Sequence, residues 1–391
     1  MYGQSELICE KEPPLQPLTR SASRRQVRIL MAAGGTGGHI FPALAVADEM
    51  RRRSEVTDPG AAQYETVFLG RGRGLESRVI PRAGYRLETI HAAGLKGISG
   101  WRKVLNAAWL PRSAFEAARV IYRFRPAVVL GIGGYISGPV MAEAALAGIP
   151  TLLYEPNVVP GFTNRVLAPV VRLAAVGFEQ SLAAYGSKGR LTGHPVRREF
   201  YGVEPKPHKP PYTVLIVGGS QGARALNQCL IESLVLFRSK APGMLSFIHQ
   251  TGEADYNAVG VAYGGQWAGS EVRAFIDDIA GAFSRADLVI CRAGAATVAE
   301  LAAAGKASIL VPFPSATDQH QLHNARALEH AGAACVIEQK DLNPGHLVDC
   351  AMDLLGDPAK LALMEQRAKS LARPEAASRI ADLIEELCCI G

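Results

Sequence analysis

Residues 27–37 read VRILMAAGGTG, a β-branched and apolar run that ends in a glycine-rich turn with a hydroxyl residue. Residues 213–222 repeat this arrangement as TVLIVGGSQG. An apolar run before such a turn is typical of a buried parallel strand that leads into a helix. The repeat therefore predicts two similar doubly wound domains. The carboxyl ends of their strands, where sheets of this kind bind ligands, are expected to face each other across a cleft.

Strand-like and helix-like segments alternate through both halves of the chain. This alternation predicts βαβ units, and hence an α/β fold with two parallel sheets. The Pro-rich residues 201–211 cannot continue a helix or a central strand, so they mark the domain junction. We expect a disordered N-terminal extension at residues 1–26, a first domain at 27–196, a second at 197–372, and a C-terminal helix at 373–391 that packs back on the first domain.

The composition is that of a soluble chain with a large core, because 48% of the 391 residues are hydrophobic and 20% are charged. This balance excludes an intrinsically disordered chain. Residues 128–154 are apolar enough to suggest a membrane span, but glycines and prolines interrupt them, so we expect a buried strand, loop and helix. The N-terminal residues lack the apolar run of a secretory signal. The seven cysteines form no C-x-x-C pair and indicate reduced thiols.

Positive charge is concentrated between Arg71 and Arg125, where twelve Lys or Arg residues accompany three Glu residues. Within this zone, residues 95–109 interleave large apolar and cationic side chains, as a surface that docks on anionic lipid does. A nucleic-acid groove, or a core-packing helix with solvated arginines, would show a similar pattern. The candidate membrane patch consists of Ile98, Trp101, Lys103, Leu105 and Trp109.

Three glycine-rich turns follow predicted strands, at residues 34–39, 131–135 and 218–223. Glycine permits close backbone approach, so amides at the N-terminus of the following helix can bind phosphate oxygens. Three such turns indicate more than one phosphate-bearing ligand. Ile40 stands where a third glycine of G-x-G-x-x-G would be, and no P-loop motif occurs, which disfavours a nicotinamide or P-loop site.

A further candidate lies at residues 291–300, which run from a predicted strand into a helix. Thr297 and Glu300 fall on the first turns of that helix. A carboxylate at this position can accept hydrogen bonds from both vicinal hydroxyls of a ribose. Alternatively, it stabilises the helix N-terminus electrostatically.

From Val27 onward these segments resemble, in order and spacing, the motifs of the MurG family of bacterial transferases, which add N-acetylglucosamine to lipid I to make lipid II. His194 departs from the pattern, because the family commonly has Asn there. The matching segments are residues 34–42, 133–139, 155–157, 195–197, 218–223, 275–278, 292–300 and 318–321.

The resemblance implies a GT-B fold, with two Rossmann-like domains facing across a cleft. It also implies UDP-N-acetylglucosamine as donor, lipid I as acceptor, and an inverting transfer with no metal and no cofactor. The acceptor's pyrophosphate would bind at the first-domain turns, through Gly34, Gly35, Gly133, Gly134 and Tyr135. The donor site would consist of Thr36, Gly37, Gly38, Asn157, Arg197, Ser220, Ile276, Ala295, Ala296, Thr297, Val298, Ala299, Glu300 and Gln321.

The chemistry of these side chains suits individual parts of the donor. Arg197 and Ser220 suit the diphosphate, and Glu300 suits the ribose. Backbone at Ile276 would bind the uracil. Gln321 and Asn157 would bind the sugar hydroxyls.

His39 is the candidate general base for the muramyl 4-hydroxyl. It directly follows the first glycine-rich turn, and a helix N-terminus disfavours the imidazolium form, which leaves a neutral, proton-accepting ring. Nearby phosphates would act in the opposite direction. Alternatively, His39 donates to a phosphate or caps the helix, and Glu155 is then the next candidate base.

A polyprenyl-linked acceptor implies peripheral attachment to the cytoplasmic face of the membrane. The expected partners are the two substrates, an anionic membrane surface and other cell-wall synthesis proteins, with no nucleic acid. The rival enzymes are a diacylglycerol glycosyltransferase and a UDP-sugar epimerase, but the loop at residues 133–139 beside the first turn favours a pyrophosphate-bearing acceptor. A non-enzymatic nucleic-acid-binding scaffold would explain the charge but none of the glycine-rich turns.

Overall fold

A computed structural model describes residues 25–389, except 35–36, 56–61, 73, 92–109, 220–221, 265–266 and 268. The first domain contains a parallel sheet of seven strands in the order β3-β2-β1-β4-β5-β6-β7. Its strands are β1 Gln26–Ala32, β2 Gln63–Gly70, β3 Arg86–Thr89, β4 Val128–Gly131, β5 Thr151–Glu155, β6 Leu173–Val176 and β7 Gly189–Leu191. Its helices are α1 Gly37–Ser54, α2 Glu76–Arg82, α3 Leu110–Phe124, α4 Gly134–Leu146 and α5 Phe162–Leu167.

The second domain contains a parallel sheet of six strands in the order β10-β9-β8-β11-β12-β13. Its strands are β8 Tyr212–Val217, β9 Leu245–Gln250, β10 Glu271–Arg273, β11 Leu288–Cys291, β12 Ser308–Leu310 and β13 Cys335–Val336. The helices that follow β8 are α6 Arg224–Lys240, α7 Tyr256–Tyr263, α8 Ile279–Arg285, α9 Ala295–Ala304, α10 His320–His330, α11 Pro344–Leu355, α12 Pro358–Ser370 and α13 Ala376–Cys389. The predicted α/β class and the two parallel sheets are confirmed.

The central strands are covered by helices on both faces, which explains why the sequence runs are continuously apolar rather than alternating. In β1, Ile29 and Met31 pack into the core on one face of the sheet, and Leu30 and Ala32 pack on the other. Residues 128–154 form β4, α4 and β5, as expected from their glycines and prolines. No helix in the described ranges is long and apolar enough to cross a membrane.

In each sheet the strand order reverses at one place. Strand β1 lies between β2 and β4, and β8 lies between β9 and β11. A crevice opens where the connections diverge to opposite sides, at the carboxyl ends of these strands. The described residues of the glycine-rich turns lie at these two switch points: 34, 37–39, 131–135, 218–219 and 222–223.

The C-terminal helix α13 returns to the first domain. Its apolar face, including Ile380 and Ile384, is buried in the same core cluster as Ile29. Arg53 at the end of α1 donates to Asp382 at 2.7 Å and to Glu385 at 2.8 Å. Burial of one helix face and two ion pairs therefore hold the end of the chain against α1.

Candidate active site

His39 lies against the turn between β4 and α4. A Cβ added to Gly133 would be 3.3 Å from Nε2 of His39, and one added to Gly134 would be 3.7 Å from Nδ1. Both glycines have positive φ values, +88° and +79°, which side chains other than glycine rarely adopt. The two first-domain turns therefore touch only because glycine leaves room for the imidazole.

The environment of His39 keeps the ring neutral. Burial lowers the pKa of His39 to about 4, the nearby His320 of the second domain lowers it further, and a hydrogen bond to Gly34 backbone opposes both. A neutral imidazole can accept a proton, although a ring with so low a pKa is a weak base. A bound pyrophosphate would raise this pKa and so strengthen the base.

A second histidine lies behind His39. The hydroxyl of Tyr154 is 2.6 Å from Nδ1 of His194, and Nε2 of His194 has no hydrogen-bond partner among the described residues. Burial lowers the pKa of His194 to about 3, with a smaller contribution from His39. His194, which stands where the family commonly has Asn, is thus a second neutral imidazole in the first domain.

Glu155 organises the loop that follows β5. Its buried carboxylate accepts from the backbone and side chain of Asn157 at 2.9 and 3.1 Å, from the Gly161 amide at 3.0 Å, and from Asn164 at 2.8 Å. Burial raises the pKa of Glu155, and these four hydrogen bonds oppose that shift. The Tyr185 hydroxyl, at 3.5 Å, is a fifth donor. A carboxylate that already accepts five hydrogen bonds fixes the conformation of its loop and is poorly placed to take a substrate proton.

Asn157 connects this loop to the second domain. Its Oδ1 accepts a hydrogen bond of 3.2 Å from Nδ2 of Asn324 in α10, and Oδ1 of Asn324 accepts from the Val158 amide at 3.1 Å. Our sequence analysis missed Asn324. Its position three residues after Gln321 puts both amides on one face of a helix, which was the available signal.

Arg197 occupies the junction of the two domains. Its guanidinium lies 4.9 Å from the ring centroid of Phe41 in α1 and 5.0 Å from that of Phe200. It also lies 3.8 Å from the carboxylate of Glu300 and 3.2 Å from that of Glu199. This placement presents a fixed planar cation at the mouth of the cleft, suited to phosphate oxygens.

The carboxyl group of Glu300 has a raised pKa. Burial raises the pKa of Glu300 to about 7, against the attraction of Arg197, and repulsion from Glu199 adds to the increase. Glu300 lies on the second turn of α9, the helix that begins at Ala295. The first amides of a helix lack intrahelical partners, so residues 295–297 present donors to an anion.

The loop between β10 and α8, together with the end of β9, forms another part of the second-domain wall. The amide of Ile276 donates to Oε1 of Gln250 at 3.0 Å, and Nε2 of Gln250 donates to the Gly219 carbonyl at 3.2 Å. A Cβ on Gly222 would lie 2.3 Å from the Thr251 carbonyl oxygen. Gln250 thus joins the predicted uracil and phosphate loops, a role that our sequence analysis did not assign.

Gln321 lies in the first turn of α10, where its Oε1 accepts from the Phe313 amide at 3.0 Å. Asp318 and Gln319, just before the helix, have positive φ values of 50° and 53°. Asp318 accepts from Arg165 of the first domain at 2.7 Å. This ion pair holds the loop before α10 against the first domain.

The structure therefore brings most of the predicted residues to the two walls of one cleft. Tyr135 is 48% exposed, beside the turn that contacts His39. The donor and acceptor candidates that lie outside the described residues are Gly35, Thr36 and Ser220. All of the predicted membrane patch lies outside them too: Ile98, Trp101, Lys103, Leu105 and Trp109.

The cleft residues include no set typical of a metal site. Within the described ranges, no group of three or more His, Cys, Asp or Glu side chains could hold a metal ion. The described charged groups at this site include Arg197 and Glu300, beside the neutral His39. This set is suited to anion binding and to proton transfer.

Comparison with known proteins places both domains in one family. Residues 29–176 match the glycosyltransferase family 28 N-terminal domain, and residues 213–385 match the glycosyltransferase family 28 C-terminal domain. The chain is 44% identical over 365 residues to a UDP-N-acetylglucosamine–N-acetylmuramyl-(pentapeptide) pyrophosphoryl-undecaprenol N-acetylglucosamine transferase of Myxococcus xanthus, covering 92% of this chain and 93% of that one. A transferase of the same name from Syntrophus aciditrophicus is 40% identical, with 91% and 97% covered.

Solved structures agree with the sequence relatives. Acinetobacter baumannii MurG superposes with a TM-score of 0.71 at 33% identity, covering 93% of this chain and 99% of that one. A Neisseria meningitidis UDP-GlcNAc 2-epimerase bound to UDP-GlcNAc shares the fold alone, with a TM-score of 0.63, 12% identity, and 92% and 100% covered. The chain belongs to the MurG family of glycosyltransferases, the UDP-N-acetylglucosamine–N-acetylmuramyl-(pentapeptide) pyrophosphoryl-undecaprenol N-acetylglucosamine transferases, and has their two-domain GT-B fold.

Proposed function

We propose that this enzyme transfers N-acetylglucosamine from UDP-N-acetylglucosamine to the 4-hydroxyl of the muramyl residue of lipid I, which yields lipid II and UDP. The proposal rests on the presence of a candidate binding surface on each domain at their junction. Arg197 contacts both Glu300 in α9 and, across the domain junction, Phe41, which lies two residues after His39 in α1. One wall suits a nucleotide diphosphate, and the other suits an acceptor with its own pyrophosphate.

The donor is held mainly by the second domain. The diphosphate lies at the α9 N-terminus, where the free amides of residues 295–297 and the Arg197 guanidinium offset its charge. The Glu300 carboxylate accepts the ribose hydroxyls. The backbone of Ile276 binds the uracil. The Ile276 amide already donates a hydrogen bond to Gln250, so uracil binds either the Ile276 carbonyl, or the amide after Gln250 has moved away. The side-chain amides of Gln321, Asn157 and Asn324 bind the sugar hydroxyls.

The acceptor is held mainly by the first domain. Its pyrophosphate lies over the glycine-rich turns at residues 34–39 and 131–135, where the helices α1 and α4 begin. This position brings the muramyl 4-hydroxyl to the imidazole of His39. The same two turns distinguish the proposed acceptor from diacylglycerol, which has no pyrophosphate to bind there.

The transfer is a single displacement with inversion. The acceptor oxygen attacks the anomeric carbon of the donor, the bond from that carbon to the diphosphate oxygen breaks, and the hydroxyl proton passes to His39. The departing diphosphate gains negative charge, which Arg197 and the α9 N-terminus stabilise. Fixed donors in a water-excluding cleft stabilise this developing charge more than water would.

The acceptor's polyprenyl tail requires the enzyme to work at the membrane surface, and we propose peripheral attachment to the cytoplasmic face through the first domain. The exposed face of α3 supports this. Phe115 and Tyr122 are 71% and 78% exposed, and Arg112, Arg119 and Arg123 surround them. Helix α3 directly follows residues 95–109, so it would extend the predicted patch. Apolar side chains among cations are suited to an anionic lipid surface.

A substrate matrix tests the proposed activity. Purified protein is incubated with UDP-N-acetylglucosamine, UDP-glucose or UDP-galactose, each with a polyprenyl-pyrophosphoryl-muramyl pentapeptide, with diacylglycerol, or with no acceptor. We expect glycosylated muramyl lipid, identified by mass spectrometry, only when UDP-N-acetylglucosamine is combined with the polyprenyl-pyrophosphoryl-muramyl pentapeptide. A chelator should leave the yield unchanged. Glycosylated diacylglycerol would instead support the lipid glycosyltransferase, and acceptor-free conversion of the UDP-sugar would support the epimerase.

A further inference from the structure

Two thiols touch on the far edge of the second domain. Cys335 lies in β13 and Cys350 in α11, and the Cys350 thiol donates a hydrogen bond to Sγ of Cys335 with the sulfurs 3.1 Å apart. A disulfide bond is about 2.0 Å long, so the sulfurs need to approach by only about 1 Å. Among the described cysteines, no other pair is in sulfur–sulfur hydrogen-bond contact.

The pair is partly exposed. Both cysteines are half-buried, whereas Cys229, Cys291 and Cys388 are buried. Strand β13 is the last strand of its sheet and pairs with β12 on one side. A short strand at a sheet edge, paired with one neighbour, can shift by about 1 Å more easily than a central strand.

The hydrogen bond from Cys350 favours Cys335 as the nucleophile. The hydrogen bond from Cys350 lowers the pKa of Cys335 to about 7, burial and Glu329 oppose this shift, and His346 and Lys360 contribute to it. The same contact raises the pKa of Cys350. A thiolate at Cys335 beside a thiol at Cys350 matches the arrangement of an attacking and a resolving cysteine.

We propose that Cys335 and Cys350 form a reversible dithiol–disulfide modification site that reacts with low-molecular-weight disulfides such as oxidised glutathione. The Cys335 thiolate attacks one sulfur of the disulfide and displaces the first thiolate. Cys350 then loses its proton to solvent and attacks Sγ of Cys335, which displaces the second thiolate. The protein loses two electrons and two protons, and the small disulfide becomes two thiols. This site lies apart from the glycosyl-transfer cleft and does not depend on the proposed function.

Redox titration of the full chain tests the proposal. The protein is equilibrated at about pH 7.5 with a series of oxidised to reduced glutathione ratios, quenched with acid, alkylated and digested without reductant. We expect the intact mass to fall by two hydrogens and one new linked peptide pair to contain Cys335 and Cys350. Reduced glutathione should reverse the link.

Variants separate the two steps. Cys350→Ser should stop at a glutathione adduct on Cys335, and Cys335→Ser should lose most reactivity at Cys350. Cys389→Ser, which removes an exposed cysteine, should form the link as wild type does. Wild-type protein that keeps both thiols across the series, accumulates the adduct without the link, or links other cysteines would overturn the proposal. If a variant folds poorly, the peptide map of the wild-type protein still shows whether the link between Cys335 and Cys350 forms.

Discussion

The guanidinium of Arg197 lies 3.8 Å from the carboxylate of Glu300, yet the pKa of Glu300 is raised to about 7. The two facts are compatible because burial opposes ionisation more strongly than one cation at this distance favours it. A carboxyl group near half-ionisation at neutral pH therefore lies where the donor ribose is expected. Donor binding should depend on its charge.

The first prediction concerns donor affinity and its pH dependence. Glu300→Gln should weaken UDP-N-acetylglucosamine binding by roughly ten- to a hundredfold at pH 8, since a charge-assisted hydrogen bond contributes about 1.5 to 3 kcal/mol. Wild-type affinity should rise several-fold between about pH 6 and pH 8, as the ribose-binding carboxylate becomes ionised. The variant should show a flat profile. Calorimetry with the sugar nucleotide measures both effects.

Glu199→Gln is the matched control for this experiment. Glu199 also contacts Arg197 but is half exposed, so its loss should change donor affinity by no more than a fewfold. Equal losses in the two variants would assign the effect to the charge of Arg197 and contradict the ribose role of Glu300.

The second prediction concerns His39. His39→Ala should lower kcat by about 10²- to 10⁴-fold while donor affinity stays nearly unchanged, because removal of a general base affects the chemical step. Since burial lowers the pKa of His39 to about 4, protonation of this ring should reduce kcat/KM only as the pH falls toward that value. Single-turnover rates and donor binding measure the two parts separately.

His194→Asn provides the comparison. It installs the residue that the family commonly has and retains an acceptor for the Tyr154 hydroxyl, so kcat should stay within a fewfold of wild type. If His39→Ala also stays within a fewfold, the base is another group.

The third prediction concerns stability at alkaline pH. His208 in the domain linker lies between the carboxylates of Asp287 at 2.9 Å and Glu365 at 3.1 Å. Hydrogen bonds to these two partners raise the pKa of His208 from 6.5 to about 9. The resulting stabilisation is complete below about pH 6.5 and is lost as the pH rises through about 9.

His208→Gln should therefore reduce the free energy of unfolding at neutral pH by about 2 kcal/mol. It should also flatten the decline in stability between about pH 7 and pH 9.5. Urea titrations at several pH values measure this. His330→Gln, at an exposed position of the same domain, should leave both the value and its slope unchanged. A parallel decline in His208→Gln and wild type would exclude the linker histidine as its cause.

The fourth prediction concerns the membrane. Replacement of Phe115 and Tyr122 by Asp should reduce flotation with anionic liposomes, because it removes apolar contact and adds charge repelled by the lipid. Trp101→Asp with Lys103→Glu should act in the same way. Val235→Asp, at a residue of the second domain that is 74% exposed, should float like wild type. Equal retention of all these proteins would contradict attachment through the first domain.

The strands and turns of both domains could be predicted from the sequence because their signals are local. A largely apolar run such as residues 27–31 is typical of a strand covered on both faces, and a glycine-rich turn after such a strand commonly leads into a helix. The linker prolines and the order of motifs are equally local. The turn and helix signals also indicated His39 and Glu300 as candidate site residues, and the family resemblance indicated Arg197.

The sequence by itself determined the two α/β domains, the edge of each sheet that carries the site, and the family. The tertiary structure alone decided which side chains meet across the domain junction: Asn324 with Asn157, Arg197 with Phe41, and Arg197 with Glu300. Such contacts join residues far apart in the chain, and their distances depend on how two rigid domains dock, which no local pattern encodes. The protonation of His39 and Glu300 was decided in the same way, because burial and neighbouring charges are properties of the packed molecule.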